Sequence, residues 1–320
     1  MINGVEHIPA CSSCYDQEKS TGQSSRTQSL LDYKFFDSKY YNKIFETSGY
    51  ANKTFSSRVE MHVGNTCNLK CLTCRPQDSS AFLAEDSKLG ISKFDQRKFE
   101  LEQITLDHNL DLIFNHEVEL IDLRGGESML VPRIKNILSS LPESSYQKTL
   151  RLQTNCTILD DTWKLIFSKF KNVEIMASID AHGSDNHYIR YPADWHAIEN
   201  NLDYFQSLPN IKLYVNCTIS NLNFLILDRL IEWCKLKKIY LHYFVLTDPV
   251  YYSYMNLPAE LFYRAKEKLL KYPRLDTLLL NSQPQDTHWQ NFCDMITIRD
   301  QYRNNSIFDI LPELQTWWKK

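Results

Sequence analysis

The stretch "VGNTCNLKCLTCRPQ" (residues 63–77) places Cys67, Cys71 and Cys74 at the spacing C-x3-C-x2-C, directly after a predicted strand. Three thiolates from one short loop suit a [4Fe–4S] cluster, because each cysteine holds one iron and the fourth iron keeps an open coordination site. Structural zinc is the alternative, although it normally takes four ligands. The fourth ligand would then come from His62 or from elsewhere in the chain.

The composition limits the possible classes of protein. The chain has 320 residues, of which 43% are hydrophobic, and a formal net charge of −3. This is enough apolar material for a sizeable core, and the near-neutral charge gives no indication of nucleic-acid binding. The sequence contains no run of about 18 apolar residues, so we expect no membrane span. The N-terminus does not have the pattern of a secretory signal. We therefore expect a cytoplasmic protein whose nine cysteines are reduced thiols, metal ligands or core residues.

From residue 57 onward, short β-rich runs alternate with amphipathic segments. The predicted strands are 58–63, 118–123, 149–154, 173–179, 211–217 and 239–246. The clearest predicted helices are 131–141, 161–170, 195–208, 225–236 and 258–272. Such alternation predicts an α/β fold of parallel βαβ units, which we interpret as a partial (β/α)6 TIM-like barrel. A doubly wound open sheet is the alternative, because periodicity does not separate the two.

The same pattern divides the chain into three predicted parts. Residues 1–56 form a small polar N-terminal appendage, 57–250 form the core barrel, and 251–320 form a helical C-terminal extension. The cysteine loop follows the first strand of the barrel. In a TIM-like barrel the active site is built at the carboxyl ends of the strands. The loop is therefore predicted to lie in the active site.

Two further patterns end neighbouring strands. "LRGGESML" (123–130) closes the second strand with Gly125, Gly126 and Glu127. The glycines allow close approach of the backbone to a ligand, and the glutamate can pair with a cation. The alternative interpretation is an ordinary Gly-Gly turn. "QTN" (153–155) and "ASID" (177–180) end the third and fourth strands with polar residues, for which helix capping is the alternative role.

The loop "CNLKCLTC" (67–74) resembles the cluster loop of the radical S-adenosylmethionine (SAM) enzymes. The segments "CNLKC", "LRGGES", "SIDAHG", "YIRYPADW" and "VNCTISNLN" together resemble the twitch (SPASM-like) members of that family. The resemblance covers roughly residues 57–250. It implies a [4Fe–4S] cluster whose open iron binds SAM, reductive cleavage of SAM to a 5'-deoxyadenosyl radical, and hydrogen abstraction from a substrate.

The resemblance also implies roles for particular residues. Gly125, Gly126 and Glu127 would hold the SAM ammonium, and Asn155, Ser178 and Asp180 would face the SAM carboxylate and ribose. Arg190 would pair with the SAM carboxylate, with a surface arginine as the alternative.

This sequence departs from the family pattern at two positions. Thr73 stands before the last cysteine, where the family often has an aromatic or otherwise hydrophobic residue near adenine. Ser128 follows the glutamate, where the family often has proline. The first departure puts the adenine contact in question, whereas the cysteine ligands themselves are all present.

Near the N-terminus, "ACSSC" supplies Cys11 and Cys14. In twitch and SPASM proteins an accessory region binds an auxiliary iron–sulfur cluster, and two cysteines are half of such a site. Cys293 would add one further ligand, or a partner chain would supply the rest. The alternative is a pair of reduced thiols in a truncated domain.

The predicted function is a radical SAM enzyme that uses a low-potential electron donor and acts on a peptide or protein. A nucleotide or sugar substrate is the enzymatic alternative. A non-catalytic iron–sulfur and SAM-binding partner subunit of a two-part enzyme is the alternative from another class, and a zinc-stapled structural protein is a third.

Overall fold

The six predicted strands all form, and they join one parallel sheet in the computed structural model of the chain. The strands are β1 (Arg58–His62), β2 (Leu120–Arg124), β3 (Thr149–Thr154), β4 (Asn172–Ser178), β5 (Ile211–Ile219) and β6 (Tyr240–Val245). The structure describes residues 14–15, 18–19, 24, 58–91, 113–114, 118–285 and 287–318.

The order of the strands separates the two predicted architectures. Neighbouring strands in the sheet are consecutive in the chain, from β1 at one edge to β6 at the other. A doubly wound sheet reverses its strand order at a switch point and so places helices on both faces. Sequential order instead sends every crossover the same way and leaves one face for the interior of a barrel. The prediction of a partial (β/α)6 TIM-like barrel is confirmed.

The predicted helices also form, with ends within three residues of those expected. The helices are α1 (Ser80–Lys88), α2 (Pro132–Ser139), α3 (Asp161–Lys169), α4 (Ser184–Ile189), α5 (Trp195–Ser207), α6 (Leu227–Lys237), α7 (Ala259–Leu269), α8 (Leu275–Leu279) and α9 (Trp289–Arg303). Several start at side-chain caps: Asp160 accepts from the Trp163 amide and Asp194 from the His196 amide, each at 3.0 Å. None of the helices that the structure describes is both long and apolar enough to cross a bilayer.

One face of the sheet forms the core with the crossover helices. Ile175 of β4 and Val215 of β5 are fully buried on this face. Trp163 and Phe167 of α3 stack at 5.5 Å, and Phe167 meets Phe205 of α5 edge-on at 5.8 Å. Because side chains alternate along a strand, the residues between the apolar ones all point to the opposite face.

The chain divides into two compact units. One comprises residues 1–54 and 257–286, and the other comprises residues 55–256 and 287–320. In the first unit, Lys266 of α7 donates hydrogen bonds to the carbonyl oxygens of Leu280 and Ser282, at 3.1 and 2.8 Å. The second unit contains the sheet, α1–α6 and α9. The predicted boundaries at 56/57 and 250/251 stay predictions.

A substitution on the buried face tests the packing of the sheet. Ile175→Ala removes a fully buried side chain from a central strand, and we expect it to lower the free energy of unfolding by about 2–5 kcal/mol. Leu165→Ala on α3 is the control, because Leu165 is 56% exposed and its loss should change stability by less than about 0.5 kcal/mol. Urea unfolding followed by circular dichroism measures both. Equal effects would contradict this assignment of the core.

Candidate functional site

The cysteine loop is held by backbone contacts to residues 189 and 191, at the end of α4 and just after it. The amide of Lys70 donates to the Tyr191 carbonyl at 2.6 Å, and the amide of Leu72 donates to the Ile189 carbonyl at 2.8 Å. Ser79, the N-cap of α1, donates its hydroxyl to the Leu69 carbonyl at 2.7 Å. These hydrogen bonds fix the shape of the loop.

The three thiols lie at different depths in this loop. Cys71 is buried, whereas Cys67 and Cys74 are partly exposed. Burial raises the pKa of all three thiols, to about 11 for Cys71, and the neighbouring thiols raise the pKa of Cys71 and Cys74 further. Thiolates are the metal-binding form. A positively charged group is therefore needed to stabilise them here.

Within the described residues, no three His, Cys, Asp or Glu side chains converge to hold a single metal ion. A [4Fe–4S] cluster makes a different demand, because each cysteine ligates its own iron. The three sulfurs of such a site need not converge on one point.

The two glycines after β2 lie directly against the backbone that leads into the cysteine loop. A Cβ at Gly125 would lie 2.5 Å from the Gly64 oxygen, and one at Gly126 would lie 2.6 Å from the oxygens of Asn65 and Thr66. Gly125 also has a φ of +141°, a conformation that favours glycine. The glycines thus allow two backbone segments to approach closely.

Hydrogen bonds join these two segments beyond the ends of β1 and β2. The amide of Gly126 donates to the Gly64 carbonyl at 2.8 Å, and the amide of Glu127 donates to the Thr66 carbonyl at 2.7 Å. Thr66 precedes Cys67. The Gly-Gly-Glu segment therefore positions the first cysteine.

The carboxylate of Glu127 is completely buried and bonded to donors of this chain. One oxygen accepts from the Thr154 hydroxyl at 2.9 Å and the Met129 amide at 3.1 Å, and the other accepts from the Asn155 amide at 2.7 Å. Burial raises the pKa of this carboxyl, while the hydrogen bonds oppose the rise. The second oxygen keeps one lone pair for a further donor.

Asn155 connects Glu127 to the cysteine loop. Its amide nitrogen Nδ2 donates to Oδ1 of Asn68 at 2.9 Å, and its own Oδ1 accepts from the Thr157 hydroxyl at 2.7 Å. Asn68, which follows Cys67, in turn donates to the Thr157 hydroxyl at 2.8 Å. Asn68 and Thr157 were not predicted, because nothing in their local pattern indicates a contact across more than eighty residues.

Asp180 and Arg190 form an ion pair that the sequence did not predict. The Asp180 carboxylate is completely buried, with one oxygen 2.7 Å from Nη1 of Arg190 and the other accepting from the Thr218 amide at 2.8 Å. The Arg190 side chain is only 14% exposed, so it is not a surface arginine. In this structure the Asp180 carboxylate pairs with Arg190, and the contact of Asp180 to a ribose stays a prediction.

Arg190 is a buried cation near the thiols. Burial alone would lower the pKa of its guanidinium, but the nearby Cys71, Asp180 and Cys74 raise it, so the group stays charged. Its Nε is buried and has no hydrogen-bond partner among the described residues. A buried donor without an acceptor is costly, so this atom indicates a place for an acceptor of a ligand.

The face of the sheet opposite the core is polar, and sequence reasoning missed it. Five charged residues, one on each strand from β1 to β5, are in register across this face: Glu60, Asp122, Arg151, Glu174 and Lys212. Asp122 is buried, and its Oδ2 lies 2.6 Å from Arg58 and 3.7 Å from Arg151, while Arg151 lies 2.6 Å from Glu174. The signal was the strict alternation in "RVEMH" and "TLRLQ", which favours one polar face on each strand.

Nearer the carboxyl ends of the strands, a second row crosses the same face. Ser178, Asn216 and His242 are in register on β4, β5 and β6. Ser178 is buried, and Oδ1 of Asn216 is buried without a partner among the described residues. The structure thus places the predicted Ser178 beside an orphaned acceptor.

Only one member of the predicted second cysteine pair is among the described residues. Cys11 is not among the described residues, and Cys14 is a partly exposed free thiol. Three other cysteines, Cys156, Cys217 and Cys234, are buried free thiols, as expected for core residues.

The residues brought together here fit an iron–sulfur cluster with a bound ligand that carries an anionic group. Three thiols of one shaped loop form a sulfur donor set. The unpartnered Nε of Arg190 and the orphaned oxygen of Asn216 provide a donor and an acceptor for a second molecule.

Comparison with solved structures finds similar folds at low identity. Native anSMEcpe with bound AdoMet is 17% identical over 71% of this chain and 63% of that one, with a TM-score of 0.48. Streptococcus suis SuiB bound to the precursor peptide SuiA is 15% identical over 82% of this chain and 52% of that one, with a TM-score of 0.43. TYW1 with a lysine–pyruvate adduct is 11% identical over 78% of this chain and 89% of that one, with a TM-score of 0.38.

No family model and no curated protein matches the chain. The chain spans about three fifths of the length of the anSMEcpe structures.

The close approach at Gly126 can be tested by filling it. Gly126→Ala should lower the free energy of unfolding by about 1–3 kcal/mol or more, because the new methyl meets backbone oxygens that have little room to move. Ser128→Ala is the adjacent control: its buried hydroxyl has no partner among the described residues, so its loss should be neutral or stabilising. Urea unfolding of the metal-free chain measures both. A neutral Gly126→Ala would contradict the close contact.

Proposed function

We propose that this chain is a radical SAM enzyme, in which Cys67, Cys71 and Cys74 hold a [4Fe–4S] cluster and SAM binds beside it. The observation that carries the proposal is the arrangement of one shaped loop with three thiols next to a buried, partly unpartnered Arg190. When bound and reduced, the cluster supplies the electron that cleaves SAM, which yields a radical able to abstract hydrogen.

The residues of the chain then have distinct tasks. Arg190 holds the SAM carboxylate through its free Nε, and Asp180 orients the guanidinium. Glu127 and the Gly125–Gly126 backbone hold the SAM ammonium, for which the second oxygen of Glu127 has a lone pair left. Ser178 and Asn155 contact the ribose or carboxylate, Ser178 from the second polar row. Asn155 also keeps Glu127 and the loop in register.

The substrate in this proposal is a peptide or protein. The polar face of the sheet carries both charges, and a peptide offers backbone and side-chain groups of both signs to such a surface. SuiB, one of the structurally similar proteins, is bound to a precursor peptide. A nucleotide or sugar substrate is the alternative, since either also offers hydrogen-bonding groups. The enzyme would take its electron from a low-potential donor in the cytoplasm.

The N-terminal cysteines enter the proposal as half of an auxiliary site. Cys11 and Cys14 would hold an auxiliary iron–sulfur cluster once a partner chain adds further ligands. Purification with the products of neighbouring genes tests this idea. Full activity of the isolated chain with no co-purifying partner would contradict it.

The decisive experiment uses anaerobically reconstituted protein, SAM and a strong reductant. We expect about four irons per chain, absorption at about 400 nm, and formation of 5'-deoxyadenosine. Replacing Cys67, Cys71 and Cys74 together with alanine should abolish all three. Cys234→Ala is the matched control, because Cys234 is a buried free thiol on α6 and should leave them unchanged.

Other outcomes distinguish the alternatives. A full cluster whose electron paramagnetic resonance signal responds to SAM, without 5'-deoxyadenosine, would favour the non-catalytic partner subunit. A colourless protein that binds zinc and no iron would overturn the proposal in favour of a zinc-stapled structural protein.

The role of Arg190 is tested separately. Arg190→Lys keeps a positive charge for Asp180 but removes Nε, so we expect the Kd for SAM to rise roughly 10- to 100-fold while the iron content stays constant. Arg229→Lys is the control, because Arg229 makes a similar 2.7 Å ion pair with Asp185 but is 53% exposed. Isothermal titration calorimetry on both variants gives the two constants. An unchanged Kd in Arg190→Lys would remove Arg190 from the SAM site.

A further inference from the structure

A buried cluster of four charges joins α1 to α9. The carboxylates of Glu85 and Asp86 on α1 meet the guanidinium groups of Arg299 and Arg303 on α9, and each of the four side chains is at most 4% exposed. Arg299 lies 2.9 Å from Glu85 and 2.6 Å from Asp86, and Arg303 lies 2.7 Å from Glu85. These four buried charges balance one another, and the more exposed ammonium of Lys70 lies 3.7 Å from Glu85 as a further partner.

Arg303 also contacts the cysteine loop, whereas the further contacts of Arg299 are to Phe82 and Tyr252. Nη2 of Arg303 donates to the carbonyl oxygen of Lys70 at 2.7 Å, and the Arg303 guanidinium lies over the ring of Tyr191 at 5.0 Å. The guanidinium of Arg299 lies over Phe82, a residue of α1, at 4.3 Å. The two arginines therefore share a charge environment but differ in what else they contact.

The carbonyl that Arg303 contacts belongs to the peptide unit that joins Lys70 to Cys71. The amide of Lys70 donates to the Tyr191 carbonyl at 2.6 Å, so the residue before the second cysteine is held through both its N–H and its C=O. The charge-assisted bond from Arg303 is the stronger type. Glu85 holds the Arg303 guanidinium, so the direction of the guanidinium does not depend on its contact with the loop.

We infer that Arg303 is a positioning residue for the cluster loop, through which the C-terminal helix α9 sets the place of Cys71. This inference rests on the proposed function, in which that loop holds the [4Fe–4S] cluster. It assigns the C-terminal part of the chain a task at the site: without this contact the loop keeps its three thiols but loses one of the bonds that shape it. The expected consequence is faster loss of the cluster and greater motion of the loop, with the ligands themselves intact.

The test compares Arg303→Lys with Arg299→Lys in the full-length chain. Lysine keeps the positive charge in the cluster, but a single ammonium cannot reproduce the fork that contacts Glu85 and the Lys70 carbonyl together. Both variants disturb the same buried charges and should lower Tm by similar amounts. Only Arg303→Lys should speed the release of cluster iron to a chelator, by roughly tenfold, and alter the electron paramagnetic resonance spectrum of the reduced cluster.

A second measurement does not need the cluster. Hydrogen exchange of residues 67–74 in the metal-free chain, followed by mass spectrometry, should be roughly tenfold faster in Arg303→Lys and unchanged in Arg299→Lys. If the wild-type chain binds no iron but this difference appears, the proposed function fails and the positioning role stands. If the cluster forms but both variants behave alike in exchange and iron release, the positioning role is overturned.

A double variant covers the case in which Arg303→Lys does not fold. Glu85→Gln/Arg303→Met removes one buried charge of each sign and leaves Arg299 paired with Asp86, while the more exposed Lys70 ammonium loses its 3.7 Å ion pair with Glu85. The double variant also removes the bond to the Lys70 carbonyl. It should again show faster exchange at residues 67–74. Wild-type exchange in this variant would contradict the inference.

Discussion

The close backbone contact between Gly125–Gly126 and residues 64–66 is the constraint on which the rest of the site depends. Two glycines remove the Cβ atoms that would otherwise lie within 2.6 Å of backbone oxygens. The hydrogen bonds that follow bring Glu127 beside the loop that begins at Cys67. Because Glu127 in turn accepts from Thr154 and the Asn155 amide, the ends of β1, β2 and β3 become one hydrogen-bonded unit.

Buried charge is arranged in pairs around this unit. Asp180 holds Arg190 on the β4 side, and Glu85 holds Arg303 on the side of α9. A charge in such a dry environment persists only with a partner. Each pair therefore also orients its arginine, one beside the thiols and the other against the Lys70 carbonyl. The positive charge so placed suits thiolates and the carboxylate group of a ligand.

Local patterns predicted the elements of the fold well. A two-residue period predicted β3 at 149–154, where the structure has it, and a helical period predicted α3 and α5 within one residue. Such periods report only which side of an element is apolar. They do not give the order of the strands, so they do not distinguish a partial barrel from a doubly wound sheet. The sequential order of the strands in the structure does. The charged row through Asp122 was visible as alternation, but its ion pairs were not.

The sequence by itself determined the residue types at the ends of the strands: three cysteines after β1, Gly-Gly-Glu after β2, and polar residues after β3 and β4. These follow from chain connectivity, because parallel strands bring their carboxyl ends to one edge. Only the tertiary structure decided the partners. Asp180 with Arg190, Asn155 with Asn68, and Arg303 with the Lys70 carbonyl join residues up to 233 positions apart. The sequence gives the chemistry of a side chain at once, but its partner depends on which distant residues the tertiary fold brings beside it.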